Sequence, residues 1–329
     1  MGLATKVLAG DVQAAARLIS QIEDETPDAL EEMDHIYPHT GRAYIVGVTG
    51  SPGAGKSTLM DNLISFFRKK NMSVGVIAID PTSALTGGAI LGDRVRMQRH
   101  STDPQVFIRS LATRGWVGGL AKATIGAIHV MDAMGKDIIL VETVGSGQIE
   151  IDIVKAADTT LVVLTPGAGD EIQMMKAGIL EAVDVFVINK ADREGADNLK
   201  TDLEVMLMMK ARRPDEWQPG IVLTEAINNK GTGELAGEIF RHREFLIASG
   251  GLQKRQRERA RLELLETMEG FIKDFIHQID EGDYLEKLVD GLLQGRTNPH
   301  RATLEISHRL ASDLCQLKSQ YRTGRKTGH

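Results

Sequence analysis

The sequence predicts an α/β fold: a mainly parallel sheet between helical layers, with helices added before it and a helical arm after it. Three observations carry this. Short Val/Ile-rich runs at 44–48, 74–79, 105–109, 137–141, 159–164, 184–188 and 221–224 mostly lack polar alternation, as strands buried on both faces do. Helical stretches separate them, the pattern of crossovers between parallel strands. From about residue 250 the strands stop and only helical periodicity continues. The expected divisions are an N-terminal helical extension at 1–41, the sheet domain at 42–249 and a C-terminal helical arm at 250–329.

Composition narrows the function classes. The chain has 329 residues, 42% hydrophobic and 26% charged, enough for one large core plus an appendage. A net charge of −6 argues against a sequence-independent nucleic-acid binder. Cys315 is the single cysteine, so no internal disulfide forms and a reducing compartment fits. No apolar run approaches the roughly 20 residues of a membrane span. Asp11, Glu23, Asp24 and Glu25 make the start unlike a signal or transit peptide, and Lys6 stands where a myristoylation signal needs Ser or Thr. A cytoplasmic chain with neither nucleic acid nor membrane as partner is expected.

Residues 1–41 read as helical and peripheral. Val7, Leu8, Val12, Ala15, Leu18, Ile19 and Ile22 recur at helical spacing, Pro27 starts a second short helix, and Pro38 to Gly41 ends it. The first strand then runs into Gly50-Ser51-Pro52-Gly53-Ala54-Gly55-Lys56-Ser57, which fits G-x-x-x-x-G-K-[ST] at every fixed position. Thr58, Leu59, Leu63 and Phe66 or Phe67 continue as a helix. Strand, glycine-rich loop and helix N-terminus together form a phosphate site, because loop N–H groups turn inward and the helix end adds a positive field. Gly50 to Thr58 are the candidate cradle, with Lys56 reaching the β/γ-phosphates and the Ser57 hydroxyl holding Mg²⁺.

The strand at 184–188 ends in Asn189-Lys190-Ala191-Asp192, the N-K-x-D pattern of guanine-specific G proteins. The Asp192 carboxylate can accept from N1–H and the exocyclic amine of guanine. Adenine would leave it unpaired at a cost of about 1–3 kcal/mol, so GTP is expected over ATP. The strand at 137–141 ends in Glu142-Thr143-Val144-Gly145, where the acid meets Mg²⁺ and the Gly145 N–H meets the γ-phosphate. Asp80-Pro81 closes the strand at 74–79, and Asp93 follows. Mg²⁺ prefers few carboxylates, so Asp80, Asp93 and Glu142 cannot all be direct ligands, and some position water or steady a mobile segment. The stretches 81–92 and 146–148 are expected to order when the γ-phosphate is present. Gln148 lies three residues beyond Gly145 rather than beside it, a weak claim on the hydrolytic water. A backbone N–H near Thr224-Glu225-Ala226 is expected at guanine O6, which adds Glu225 and Ala226 to the candidate nucleotide contacts.

No C-x-x-C, H-E-x-x-H or His run is present, which speaks against a metal store. Met206, Met208 and Met209 read as core packing. In the arm, Leu262, Leu265, Met268, Ile272, Phe275, Ile276 and Ile279 form one stripe. Tyr284, Leu285, Leu288, Val289, Leu292 and Leu293 form another; Gly295 to Pro299 breaks the pattern, and a last helix runs through about 318. The stripes either pack on the chain's own core or form an arm that dimerises or grips a partner.

With these residues in place, the chain resembles the MeaB/ArgK family of P-loop GTPases, and so the P-loop NTPase fold. The likeness rests on the phosphate loop, Asp80-Pro81-Thr82-Ser83, Gly92-Asp93-Arg94-Val95-Arg96-Met97, Arg109-Ser110, Glu142 to Gln148, Pro166-Gly167-Ala168-Gly169-Asp170 and Asn189 to Asp192. The Glu-Thr-Val-Gly-Ser-Gly-Gln run is the most specific of these. The resemblance implies a homodimeric GTPase that acts as chaperone to an adenosylcobalamin-dependent acyl-CoA mutase, typically methylmalonyl-CoA mutase. Such proteins gate cofactor loading and protect the mutase. It also implies that Asp80, Asp93 and Glu142 serve Mg²⁺ and the water. Gly167 to Lys176 would be a further switch, with Lys176 swinging towards the nucleotide, and the arm would supply the dimer contact. Glu225 departs from the family, standing where relatives commonly have Ser.

The expected reaction is in-line attack of water on the γ-phosphorus, with Lys56, loop amides and Mg²⁺ offsetting charge and Asp93 or Glu142 aligning the water. Arg94, Arg109 and Arg114 are the candidates for an arginine finger. The absence of a finger costs about 10³–10⁵ in rate, so slow turnover stimulated by a partner is expected. The competing readings are an ATPase or kinase linked to arginine/ornithine transport, and a metal-insertion GTPase, which needs a thiol or His cluster near the switches.

Overall fold

The computed structural model describes residues 2–80, 97–112, 117–143, 156–167, 183–209, 216–279 and 284–309. Each of the seven predicted runs is a strand: β1 Tyr44–Gly50, β2 Val74–Asp80, β3 Val106–Ala112, β4 Ile138–Glu142, β5 Thr159–Leu164, β6 Val185–Asn189 and β7 Gly220–Thr224. They form one sheet in the order β3-β2-β4-β1-β5-β6-β7, every pair parallel. β1 lies at the centre, with Val48 beside Glu142 of β4 on one side and Leu161 of β5 on the other. The chain moves to one side of β1 and later to the other, so the crevice at the carboxyl end of β1 is the switch point where open parallel sheets take ligands.

The unbroken apolar runs are explained by two covered faces. Tyr44, Val46 and Val48 join Leu59, Leu63 and Phe67 of α4 (Lys56–Lys69) and Leu235 and Ile239 of α7 (Thr232–Ala248). Ile45, on the other face, joins Ala127, Ile128 and Met131 of α5 (Val117–Ala133). Beyond β1, Val162, Phe186 and Ile188 meet Leu199 and Leu203 of α6 (Ala196–Met209).

Two expectations are corrected here. The N-terminal helices α1 (Leu3–Leu8), α2 (Val12–Glu23) and α3 (Pro27–Ile36) are not peripheral, because Val7, Ala15, Leu18, Ile19 and Ile36 are fully buried within the same core as Ile45 and Met131. Gly126 of α5 lets α2 approach: a Cβ there would lie 2.7 Å from Ile22 Cγ2. Polar ties set the geometry. The Glu32 carboxylate accepts from the N–H groups of Leu3 and Ala4 at the start of α1, and Asp132 of α5 accepts from Arg42 and Ala43 as the chain enters β1. In α6, Met206 packs with Leu199 and Leu203, whereas Met208 and Met209 are more than 80% exposed. At 100° per residue those two fall off the buried face.

The chain divides into two compact units, Met1–Glu263 and Leu264–His329. The break lies within α8 (Gly251–Ile279), because the first turns of that helix are tied to the sheet. Arg255 grips Asp184 through both terminal nitrogens at 2.7 Å, and Arg259 bonds the Ala156 carbonyl and Asp158. The second unit holds the rest of α8, α9 (Tyr284–Leu293) and a helical stretch at 299–309. In it the Tyr284 hydroxyl donates to Glu305, and the Arg309 guanidinium covers the Tyr284 ring. Leu264, Leu265, Met268, Phe271 and Ile272 stand 42–60% exposed. Among the described residues, no helix is long and apolar enough to cross a membrane.

Candidate functional site

The loop after β1 has a shape that only glycine permits at its two ends. Gly50 has φ +137°, and a Cβ there would lie 2.1 Å from the Val163 carbonyl oxygen of β5. Gly55 has φ +92°, and its Cβ would lie 2.4 Å from Asn189 Nδ2. The loop is thus pressed against β5 on one side and the end of β6 on the other. Lys56 opens α4 and folds back over the loop, its buried ammonium donating to the carbonyls of Gly50 at 2.6 Å and Ser51 at 3.0 Å. Those carbonyls hold the charge at the loop's mouth, where a phosphate oxygen can replace them.

Ser57 and Glu142 meet across the sheet end, with Ser57 Oγ donating to Glu142 Oε1 at 2.8 Å. The register decides this contact: Glu142 is the last residue of β4, level with Val48 of β1 and Ala78 of β2. It is 4% exposed. Two hard oxygen donors with a single carboxylate fit Mg²⁺, which keeps most of its shell for water and phosphate. Among the described residues, no group of three or more His, Cys, Asp or Glu is placed to hold a metal ion.

The opposite wall comes from β6 and β7. Asn189 donates from Nδ2 to the Ala54 carbonyl at 2.7 Å and accepts at Oδ1 from Thr224 Oγ1 at 3.1 Å and the Ala226 N–H at 3.0 Å. Lys190 takes the left-handed region, φ +58°, and its Nζ bonds the Gly53 carbonyl at 2.7 Å. Asn189 and Lys190 therefore lock the phosphate loop to the far wall. Exposed Asp192 faces the space that this leaves. The result is a cavity of about 370 Å³, within the range of small-molecule sites, with Gly53, Gly55, Lys56, Ser57, Thr58 and Glu142 at one end. Asn189, Lys190, Asp192, Glu225, Ala226, Ile227 and Asn228 line the other.

Several expected roles change. The Glu225 carboxylate bonds Asn228 and Lys230, and these hydrogen bonds hold it below the usual carboxylate range. The Glu225 N–H goes to the Lys230 carbonyl and the Ala226 N–H to Asn189, so neither is open to a base oxygen. Gly50, Ser51, Pro52 and Ala54 lie outside the cavity lining, though the carbonyls of Gly50 and Ser51 hold Lys56 and that of Ala54 holds Asn189. Arg109 is no finger candidate: it pairs with Glu23 and bonds Ser20 of α2, on the face of the sheet opposite α4. The backbone of Asp80 closes β2, and its side chain lies outside the described residues. So do Asp93, Arg94, Arg114, Gly145, Gln148 and Lys176, along with the expected switch segments. Ile227 and Asn228 were missed; the one signal that the sequence offers is Ile227 as a large apolar residue in an otherwise small or polar stretch after β7.

Relatives bear on what the cavity holds. A putative GTPase of Pyrococcus abyssi is 53% identical over 296 residues, 89% of this chain and 91% of its own length. The GTPase ArgK of Escherichia coli is 30% identical over 306 residues, 91% and 92% of the two chains. The crystal structure of an LAO/AO transport system kinase superposes with a TM-score of 0.70 at 25% identity, over 94% of this chain and 96% of that one. The model of a family described as methylmalonyl Co-A mutase-associated GTPase MeaB matches residues 15–279. A phosphate loop of this geometry, in a chain whose relatives are named GTPases over nearly its whole length, makes the protein a P-loop GTP hydrolase, and it belongs to the MeaB family.

Proposed function

We propose that this GTPase is a nucleotide-dependent chaperone of an adenosylcobalamin-dependent acyl-CoA mutase, with methylmalonyl-CoA mutase as the partner, gating cofactor loading and protecting the mutase. The observation that carries the partner is the match over residues 15–279 to a family named for that association. The cavity supports a sensor of the γ-phosphate. Glu142, which lines the cavity, ends the strand that precedes the expected switch at 146–148, and Asp80 ends the strand that precedes the one at 81–92, so both expected switches follow strand ends in the chain. The exposed stripe from Leu264 to Ile272 supports a homodimer formed through the arm. A single cysteine, Cys315, suits work in the cytoplasm.

In the reaction, GTP lies with its phosphates in the loop and guanine towards Asp192. Lys56 leaves the Gly50 and Ser51 carbonyls for phosphate oxygens, and the loop N–H groups take the rest. Water, aligned by Asp93 or Glu142, attacks the γ-phosphorus in line; the bond to the β-phosphate oxygen breaks, and GDP and phosphate leave. Ser57 and Glu142, with Asp80 and Asp93 as further acids, would hold Mg²⁺, which offsets phosphate charge when bound. Lys176 is the candidate for a second cation at the nucleotide. With no arginine finger assigned, intrinsic turnover is expected below about 1 s⁻¹.

Pull-down from native extract, with GDP and with a non-hydrolysable GTP analogue, tests the partner. A mutase subunit is expected in an eluate, and its absence from both would overturn the assignment. The superposed transport system kinase favours a second reading, in which ATP binds as well as GTP and phosphate reaches a protein acceptor. Measured affinities for the two nucleotides separate them: equal values would favour the kinase.

A further inference from the structure

Asn62 lies in the second turn of α4, one turn beyond Lys56 and Ser57, and is 6% exposed. A buried side-chain amide must find partners, and those of Asn62 lie outside its own helix. Nδ2 donates to the Ala226 carbonyl at 2.6 Å, across 164 residues of sequence. Oδ1 accepts from Arg99 Nη2 at 3.3 Å, and Arg99 is itself anchored by its Nε to Asp61 at 2.8 Å. Arginine only donates and a carbonyl only accepts, so the amide has one orientation that serves both neighbours.

The consequence falls on the cavity's base end. The N–H of Ala226 is held by Asn189 Oδ1 and its carbonyl by Asn62 Nδ2. Ala226 is thus clamped from two elements, the end of β6 and α4. A peptide unit is planar, so a bond to the Ala226 carbonyl also sets the plane that leads into Ile227. Ile227 is 86% exposed and lines the cavity beside Asp192. An apolar side chain so exposed, on a backbone so firmly held, suits the flat apolar face of a purine.

We propose that Asn62 is a positioning residue for nucleotide recognition: by clamping the Ala226 carbonyl, it aims Ile227 at the purine ring. The proposal rests on reading this end of the cavity as the base subsite. Asn62→Asp is the sharp test, since it keeps the Arg99 contact but turns an acceptor against the Ala226 carbonyl. Calorimetric titration of the full-length chain with GDP, ADP and inorganic pyrophosphate reads the two ends separately. Wild-type protein is expected to prefer GDP to ADP. Asn62→Asp is expected to weaken GDP by about 10-fold, the size of one lost hydrogen bond, with pyrophosphate unchanged. Ile227→Ala, at an exposed position where folding is not at stake, is expected to show the same selective loss. Unchanged GDP affinity in Ile227→Ala would overturn the proposal, as would equal weakening of GDP and pyrophosphate in Asn62→Asp. A wild-type chain without preference between GDP and ADP would instead overturn the base-subsite reading itself.

Discussion

Single residues in this chain act through what burial does to their polar groups. His242 is fully buried, between Thr159 Oγ1 at 2.8 Å from Nδ1 and Asp184 Oδ1 at 3.3 Å from Nε2. Burial, the largest cause, brings its pKa down to about 4 from 6.5, so the ring stays neutral in the folded chain near pH 7. The unfolded chain takes up this proton below about pH 6.5, and the folded chain refuses it until about pH 4. Stability from this group is therefore complete above the unfolded value and is lost as pH falls. Between pH 7 and pH 5 the loss amounts to about 2 kcal/mol. Burial pushes the Asp158 carboxyl up, which acts in the opposite direction, so the comparison with His242→Gln is the useful one. Denaturant unfolding at both pH values should show the variant losing less stability on acidification than the wild type, and equal losses would refute this account.

At the scale of elements, one helix is tied to one pole of the sheet while the nucleotide loop uses the other. Asp158 and Asp184 sit at the amino ends of β5 and β6, and Arg255 and Arg259 of α8 bind them there. Asp184 is 5% exposed and also accepts from the Thr160 N–H, so its charge is paired from two directions. Arg255→Ala would leave that carboxylate short of its main cation, at an expected cost of about 3–5 kcal/mol. Adding Asp184→Asn removes the stranded charge, so the double variant should recover part of the loss in urea unfolding. A single variant within 1 kcal/mol of wild type, on the order of an exposed pair, would show that this contact is peripheral.

For the whole molecule, the division at Glu263 separates the nucleotide cavity from the rest of the arm. Every described residue of the cavity, and both arginines that tie α8 down, lie in Met1–Glu263. A chain that ends after Glu263 should therefore fold and bind GDP. With the proposed dimer contact removed, it should sediment as a monomer where the full chain sediments as a dimer. A truncated chain that still sediments as a dimer would move the dimer contact off the arm.

The strands were legible because a strand buried on both faces is written as an unbroken Val/Ile run. The phosphate loop was legible because eight contiguous residues contain its whole backbone requirement. Asn189 to Asp192 were equally local, sitting at a strand end. Other features were decided only by register and by which face each side chain takes. Ser57 reaches Glu142 across 85 residues because the register sets the end of β4 level with Val48, two residues before β1 gives way to the phosphate loop. Arg109 turns to Glu23 because its strand position points to the α2 face. The N-terminal helices enter the core because Gly126 leaves room for Ile22, a fact no periodicity reports. Asn62 reads as one polar residue in an amphipathic helix until Ala226 is seen 2.6 Å away. The sequence alone thus determined the sheet and the phosphate loop, because each is set by a local pattern. The pairing of buried polar groups came only with the tertiary structure, because a buried donor is satisfied by whatever acceptor the packing brings to it.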